Sequence, residues 1–378
     1  MAGIYIHIPF CKKRCSYCDF YKDTNISIKS DFIESLKREF SFRASFFKSN
    51  TVITTLYFGG GTPSVLNLDE FKEIILELNR IFDLSKIEEL TVELNPDDVS
   101  LEYLSGLKNL GVNRVSFGVQ SFHDKYLKMI RRRHDSHQAL EAVSLCKLVG
   151  IDNISIDLIY GLPGLTLEEW QNDIDLFLSL KVPHLSAYHL IYEEGTLMTA
   201  QLKKGLFSEA TEEESSDQFN LLRNGLINHG FEHYEISNFS LPNMYSKHNS
   251  SYWKGELYLG FGPSAHSFDG RVRYWNFSDL NKYISFLNQG RDDFFDCEEL
   301  SEKDIYNELV MLGLRTKKGI YEGDLKSKVS LDFQHYFDKI IKDKMKNGEI
   351  VLKDHHYSIS KDLFLISNKI ISDIFFVD

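Results

Sequence analysis

The first two-thirds of the chain repeat one pattern. A short run rich in β-branched and aromatic residues is followed by a longer stretch with apolar positions every three to four residues. The short runs predict strands over Ile4–Ile8, Thr54–Phe58, Glu89–Leu94, Arg114–Val119, Ile154–Ile159 and His184–His189. The longer ones predict helices over Lys29–Phe47, Asp69–Phe82, Leu101–Leu110, Ser136–Val149 and Thr166–Leu180. Strands alternating with helices pack as right-handed βαβ units on a parallel sheet. About six units fit, which predicts an α/β fold, a partial (β/α)6 barrel rather than a closed eightfold one. Gly59-Gly60-Gly61 follows the second strand, and Glu93, Gln120 and Asp157 lie at or near the ends of later ones. In a parallel barrel such positions gather at one open face, where ligands bind.

Past His189 the pattern changes. A polar acidic stretch, Lys203–Asp217, leads into a helix ending near His229-Gly230, and Phe231–Trp275 is aromatic-rich with scattered Gly and Pro. Arg291–Asp304 is charged and reads as a linker. The remainder reads as helix, helix, hairpin (Glu349–Ser360) and terminal helix, a small winged-helix-like α+β domain. The expected division is 1–235 for the barrel, 236–300 for an aromatic-rich connecting segment and 301–378 for the C-terminal domain.

Composition narrows the partners. Hydrophobic residues make up 43% and charged residues 26%, ordinary for a globular chain. A formal net charge of -12 opposes an electrostatic grip on nucleic acid, and the C-terminal domain carries no strong basic excess. The apolar N-terminal stretch lacks a basic region before it, so no signal peptide is expected. No apolar run reaches the roughly 20 residues that span a bilayer, so any membrane contact is expected to be indirect. Five cysteines, three of them within eight positions, point to a reducing, cytoplasmic compartment with the group kept for metal.

That group, Cys11-Lys-Lys-Arg-Cys15-Ser-Tyr-Cys18, sits on a loop after the first strand. Three thiolates at this spacing can hold three irons of a 4Fe-4S cube and leave the fourth open. Structural zinc takes four protein ligands, so a zinc site would need a further residue such as His7. Cys146 lies on a helical face and reads as core, and Cys297 is isolated.

The cysteines, the preceding Tyr5-Ile-His7-Ile-Pro9-Phe10 and the later Gly59-Gly60-Gly61-Thr62-Pro63 resemble the radical S-adenosylmethionine (SAM) superfamily. In particular they resemble the oxygen-independent coproporphyrinogen III oxidases and the related heme chaperones, over almost the whole chain. The resemblance implies that the open iron chelates SAM and that one electron cleaves its carbon–sulfur bond to a 5'-deoxyadenosyl radical. It places Gly60, Gly61 and Thr62 against the methionine part, Glu93 at the ribose, and Tyr5, Gln120, Arg132 and Asp157 as further SAM contacts. Taken singly, each has an ordinary alternative as a polar strand-end group satisfied by backbone.

Two departures separate the branches. The oxidases carry a further cysteine two residues after the triplet; here that position is Phe20, as in the chaperones. His248-Asn249-Ser250-Ser251-Tyr252-Trp253 resembles the chaperones' H-N-x-x-Y-W motif, which implies His248 as a heme-iron ligand with Tyr252 and Trp253 against the porphyrin. Gly260–Ser267 also resembles this branch, with His266 a secondary ligand candidate, and His355-His356 reads as a solvated turn. The first strand begins too early for the N-terminal extension typical of the oxidases. The resemblance therefore implies a heme chaperone serving hemoproteins, respiratory ones among them, with a 4Fe-4S cluster, SAM and an electron donor. The alternative is oxidative decarboxylation of coproporphyrinogen III to protoporphyrinogen IX.

Overall fold

The computed structural model describes residues 1–377; residue 378, the end of the expected third segment, lies outside them. Six βα units come first. Their strands are β1 (Ala2–Ile8), β2 (Ile53–Gly60), β3 (Glu89–Leu94), β4 (Arg114–Gln120), β5 (Asn153–Tyr160) and β6 (His184–His189). The intervening helices are α1 (Lys29–Phe42), α2 (Leu68–Ile81), α3 (Leu101–Asn109), α4 (Asp124–Met129), α5 (Ser136–Leu148) and α6 (Leu167–Ser179). Capping boxes start three of them: Asn67 with Glu70, Asp135 with Gln138, and Thr166 with Glu169. Helix α1 stops at Phe42, short of the expected Phe47, where Arg43 turns inward to a buried partner, Glu39.

Next come α7 (Leu197–Lys203), α8 (Glu212–Asn228) and the hairpin β7 (Glu232–Glu235) and β8 (Asn238–Ser240), whose strands lie on either side of residues 235/236. They are followed by α9 (Lys247–Trp253), β9 (Leu257–Phe261), β10 (His266–Phe268), β11 (Val272–Asn276), α10 (Leu280–Asn288) and β12 (Phe295–Glu299). All twelve strands form one sheet, ordered β12-β11-β10-β9-β1-β2-β3-β4-β5-β6-β8-β7. The central run from β9 to β6 is parallel, and antiparallel strands extend it at both ends.

Strand β9 lies parallel to β1 and makes a seventh parallel strand that the local pattern did not announce. The expected linker at Arg291–Asp304 holds β12 and the start of the next helix, α11 (Glu302–Leu314). The C-terminal domain then carries β13 (Ile320–Tyr321), α12 (Glu322–Lys328), α13 (Leu331–Lys346), the hairpin β14 (Ile350–Lys353) and β15 (His356–Ile359), and α14 (Ser367–Ser372). That is one short helix and one short strand more than the sequence predicts. No helix among the described residues is long and apolar enough to cross a membrane.

Strand alternation decides what each face of the sheet holds. Ile4, Ile6, Ile8, Leu56, Phe58, Val92, Val115, Phe117, Ile154 and Ile156 point outward under the helices and are buried. The inward positions are polar: Tyr5, His7, Thr55, Tyr57, Thr91, Glu93, Arg114, Ser116, Ser155, Asp157, His184 and Ser186. A barrel lined this way offers hydrogen bonds, where an ordinary barrel core would offer only packing.

A buried polar knot ties the late strands to α1. Both oxygens of Glu39 are used: Oε2 accepts from the Gly262 amide at 2.8 Å and from the Tyr283 hydroxyl, and Oε1 accepts from Asn276 at 2.7 Å. Arg43 pairs with Glu39 at 3.3 Å and donates to Asn276 at 2.8 Å. Asn276 closes the ring by donating to the Gly262 carbonyl at 2.8 Å.

Candidate functional site

The cysteine loop leaves β1 at the C-terminal end of the barrel strands. All three thiols are free, Cys11 buried and Cys15 and Cys18 partly so. The Cys11 Sγ lies 3.2 Å from the Thr62 hydroxyl, and Cys15 Sγ accepts from Arg132 Nη1 at 3.3 Å. Burial raises the Cys11 pKa, the Thr62 contact lowers it, and Cys18 and Cys15 raise it again, so the three sulfurs feel one another. Like charges crowded on one short loop favour a cationic group between them. Three cysteines on one loop fit a 4Fe-4S cube, in which each takes a different iron and the fourth iron is left open.

Beside the loop, Lys12 pairs with buried Asp98 at 2.6 Å, Arg133 reaches the same carboxylate at 2.7 Å, and Ser64 donates to it at 2.9 Å. These contacts hold the cysteine loop against the segments after β2 and β3. The run Arg131-Arg132-Arg133 is thereby sorted. Arg131 is exposed, Arg133 joins the Asp97 and Asp98 carboxylates, and Arg132 alone turns to Cys15, Asn95 and the Gly118 carbonyl.

The glycine loop is shaped by its neighbours. Gly60 has φ of 104°, and a Cβ there would lie 2.5 Å from the His7 ring, so only glycine lets the loop pass. His7 is fixed in turn: its Nε2 donates to the Tyr21 carbonyl at 3.0 Å, leaving Nδ1 to accept from the Tyr5 hydroxyl at 3.1 Å. Glu93 accepts from Tyr57 at 2.7 Å and from the Gly60 amide at 3.2 Å. Gln120 ends β4 in a left-handed conformation, φ 73°, where a register slip against β5 re-aims it. Asp157 accepts from Ser116 at 3.2 Å, and Tyr188 stands near enough for the two charges to act on each other. Gly60, Gly61, Thr62, Glu93, Gln120, Arg132 and Asp157 thus lie toward the cysteine end of the barrel, whereas Tyr5 lies deeper, its ring 6.0 Å from Tyr57 and 6.4 Å from His248.

Burial lifts Glu93 from 4.5 to about 7 and Asp157 from 3.8 to about 6. Hydrogen bonds from Tyr57 to Glu93 and from Ser186 to Asp157, together with the Arg114 charge, act the other way. Two carboxyls held above their ordinary range suit a ligand that brings hydroxyls and positive charge. They also set a pH dependence. Folded Glu93 keeps its proton up to about pH 7, while the unfolded chain releases it near 4.5. Stability of the ligand-free protein is therefore expected to be fullest below pH 4.5 as far as this group is concerned. It should fall as pH rises to about 7, by roughly 3 kcal/mol at most. Urea melts across that window should show a shallower slope for Glu93→Gln, and an equal slope would refute the role given to Glu93.

His248 lies at the opposite, N-terminal end of the strands. Helix α9 closes that end, its first amides capped by Glu89, which accepts from Lys247 N and His248 N at 2.9 Å each. The His248 ring is 1% exposed, with Nδ1 2.8 Å from the Thr55 hydroxyl and Nε2 2.8 Å from the Tyr252 hydroxyl. Burial, then the Arg114 charge, lowers its pKa to about 3. In this arrangement neither nitrogen faces open space. Trp253 does not join the other two, because Arg315 of the C-terminal domain stacks over its ring at 4.5 Å. The expected motif is thus split: His248 and Tyr252 line the barrel floor, and Trp253 faces the C-terminal domain.

Arg114 and Tyr57 are the residues the sequence reading missed. Tyr57 stacks on His248 at 5.0 Å and bonds Glu93, joining floor to mouth. Arg114 is fully buried inside the barrel, and its charge acts on Glu93, Asp157, His184 and His248 alike. The available signal was a charged residue at an inward strand position, visible once the alternation of β4 is set in register.

Comparison with known proteins identifies the family and the fold. The Radical SAM superfamily model matches residues 5–177, and the HemN C-terminal domain model matches residues 300–362. The heme chaperone HemW of Lactococcus lactis is 38% identical over 339 residues, 89% of this chain and 87% of its own. That of Bacillus subtilis is 35% identical over 359 residues, 93% of each chain. Among solved structures, coproporphyrinogen III oxidase HemN of Escherichia coli superposes with a TM-score of 0.84 at 23% identity, covering 99% of this chain and 90% of that one. The fold is therefore that of HemN. With cysteine loop, glycine loop and carboxylates gathered at one barrel mouth, and with relatives this similar end to end, the chain belongs to the HemW family of radical SAM proteins.

Proposed function

We propose that this protein binds heme and passes it to hemoproteins, with a 4Fe-4S cluster on Cys11, Cys15 and Cys18 and SAM in the barrel mouth. The observation that carries the reading is the similarity to heme chaperones along almost the whole chain. When bound, cluster and SAM together supply one-electron cleavage of the carbon–sulfur bond. The chain's own part is to bind and orient. Arg132 donates to the Cys15 sulfur, Tyr57 and the Gly60 amide hold Glu93 for a ribose, and Asp98 braces the loop through Lys12. An electron donor and the accepting hemoproteins complete the cycle.

Anaerobic titration of the iron–sulfur-reconstituted protein with heme tests this. A saturable optical band at about one heme per chain is the expected result. No saturable band, together with conversion of coproporphyrinogen III by protein, SAM and reductant, would replace the chaperone reading with the oxidase one.

A further inference from the structure

We infer that His266, on the inner lip of the open barrel, is the imidazole that ligates heme iron. The inference rests on the chaperone reading above. The register of the late strands sets where His266 stands. Tyr5 of β1 pairs with Gly260 of β9, and Tyr258 pairs with Phe268 of β10, so these residues share the inward face. Phe268 pairs with Arg273 and His266 with Trp275, which carries the same face across β10 and β11. His266 therefore stands on the surface that runs from Tyr5, in the middle of β1, toward the outer strands of the sheet.

Its chemistry differs from that of His248. The His266 side chain is exposed, and neither ring nitrogen has a hydrogen-bond partner among the described residues, whereas both nitrogens of His248 are taken. The indole of Trp275 lies alongside at 6.4 Å, inclined by 32°, and Tyr258 and Phe268 follow on the same face, with the Arg273 guanidinium, paired to Glu308 at 2.6 Å, over the Phe268 ring at 6.0 Å. The part of the ring turned to the sheet, then the neighbouring Arg273 charge, lowers the His266 pKa, which favours the neutral, lone-pair-bearing ring. A planar, mostly apolar ligand with a Lewis-acidic centre matches an imidazole next to aromatic faces.

The position is also held rigidly. The turn before it is pinned by the Glu39 knot through both the amide and the carbonyl of Gly262. Gly262 itself has φ of 93°, with the His7 carbonyl 2.5 Å from where a Cβ would sit. Ser264 adopts a left-handed φ of 65°, a conformation that surrounding structure must enforce. A rigid turn presenting an unpaired histidine suits a carrier that must release its cargo. Iron on an exposed lip is reached by an acceptor without opening the barrel floor, whereas His248 would have to give up Thr55 and Tyr252 at every transfer.

The test titrates heme into the reconstituted wild-type protein, His266→Ala and His248→Ala, read by optical and electron paramagnetic resonance spectra of the iron. The expected result is loss of the histidine-ligated spectrum in His266→Ala, with affinity weakened at least about tenfold, and its return on adding free imidazole. His266→Ala should retain its cluster absorbance, which separates ligand loss from misfolding. An unchanged spectrum in His266→Ala overturns the assignment while leaving the chaperone reading in place. Wild-type protein that takes up no heme overturns both.

Discussion

Replacing Cys15 by Ala is expected to leave a folded protein with iron and sulfide falling from about four of each per chain to near zero. With one thiolate gone the cube keeps only two protein ligands, and the released Arg132 still holds Asn95 and the Gly118 carbonyl, so the barrel mouth stays formed. Cys15 is only partly buried, so its loss opens no core cavity. Chemical iron and sulfide analysis after anaerobic reconstitution gives the answer. A variant that still retains about four irons would show that Cys15 is not a ligand. Heme titration of the same variant adds a second readout, since His266 lies on a different element and its spectrum should persist.

Glu39→Ala is expected to destabilise the fold strongly, by about 3–5 kcal/mol. The carboxylate is fully buried and offsets a buried guanidinium; removing it leaves the Arg43 charge without its counter-ion and strips the Gly262 amide and the Tyr283 hydroxyl of their acceptor. Burial raises the Glu39 pKa, and Arg43, Tyr283 and Gly262 each act to keep it ionised. The shift of the urea midpoint measures the loss. Glu39→Gln, which keeps the shape and one acceptor, should cost less. A loss below about 1 kcal/mol for Glu39→Ala would mean that the knot relaxes and does not fix the turn before His266.

The barrel was legible because its signals are local. β3 and β6 begin and end where alternation and flanking turns put them, and α2, α5 and α6 start at side-chain caps readable three residues ahead. The cysteine spacing and the strand-end carboxylates were legible for the same reason. β9 was not, since Leu257–Phe261 is a short strand whose partner lies some 250 residues away at the N-terminus, and nothing near it states the pairing. The site of His248 failed to show for a related reason. The motif around it fixes residue types but not direction, and the contacts that place it, from Glu89 to its amide and from Thr55 to its ring, come from distant strands. Arg114 belongs to the same class: it looks like an ordinary surface charge until the neighbours of β4 are known.

The place of β1 in the sheet also bears on how the protein is made. Of the strands described, β1 leaves the ribosome before its neighbours, yet it sits between β2 and β9 in the finished sheet. At ordinary synthesis speeds its second neighbour emerges only after about ten seconds to a minute, so the strand waits with one edge bare. The cysteine loop follows β1 directly, and the Gly262 turn that packs on His7 arrives with β9. A ribosome stalled before residue 257 would therefore carry the three thiols beside a β1 edge that β9 has not yet covered.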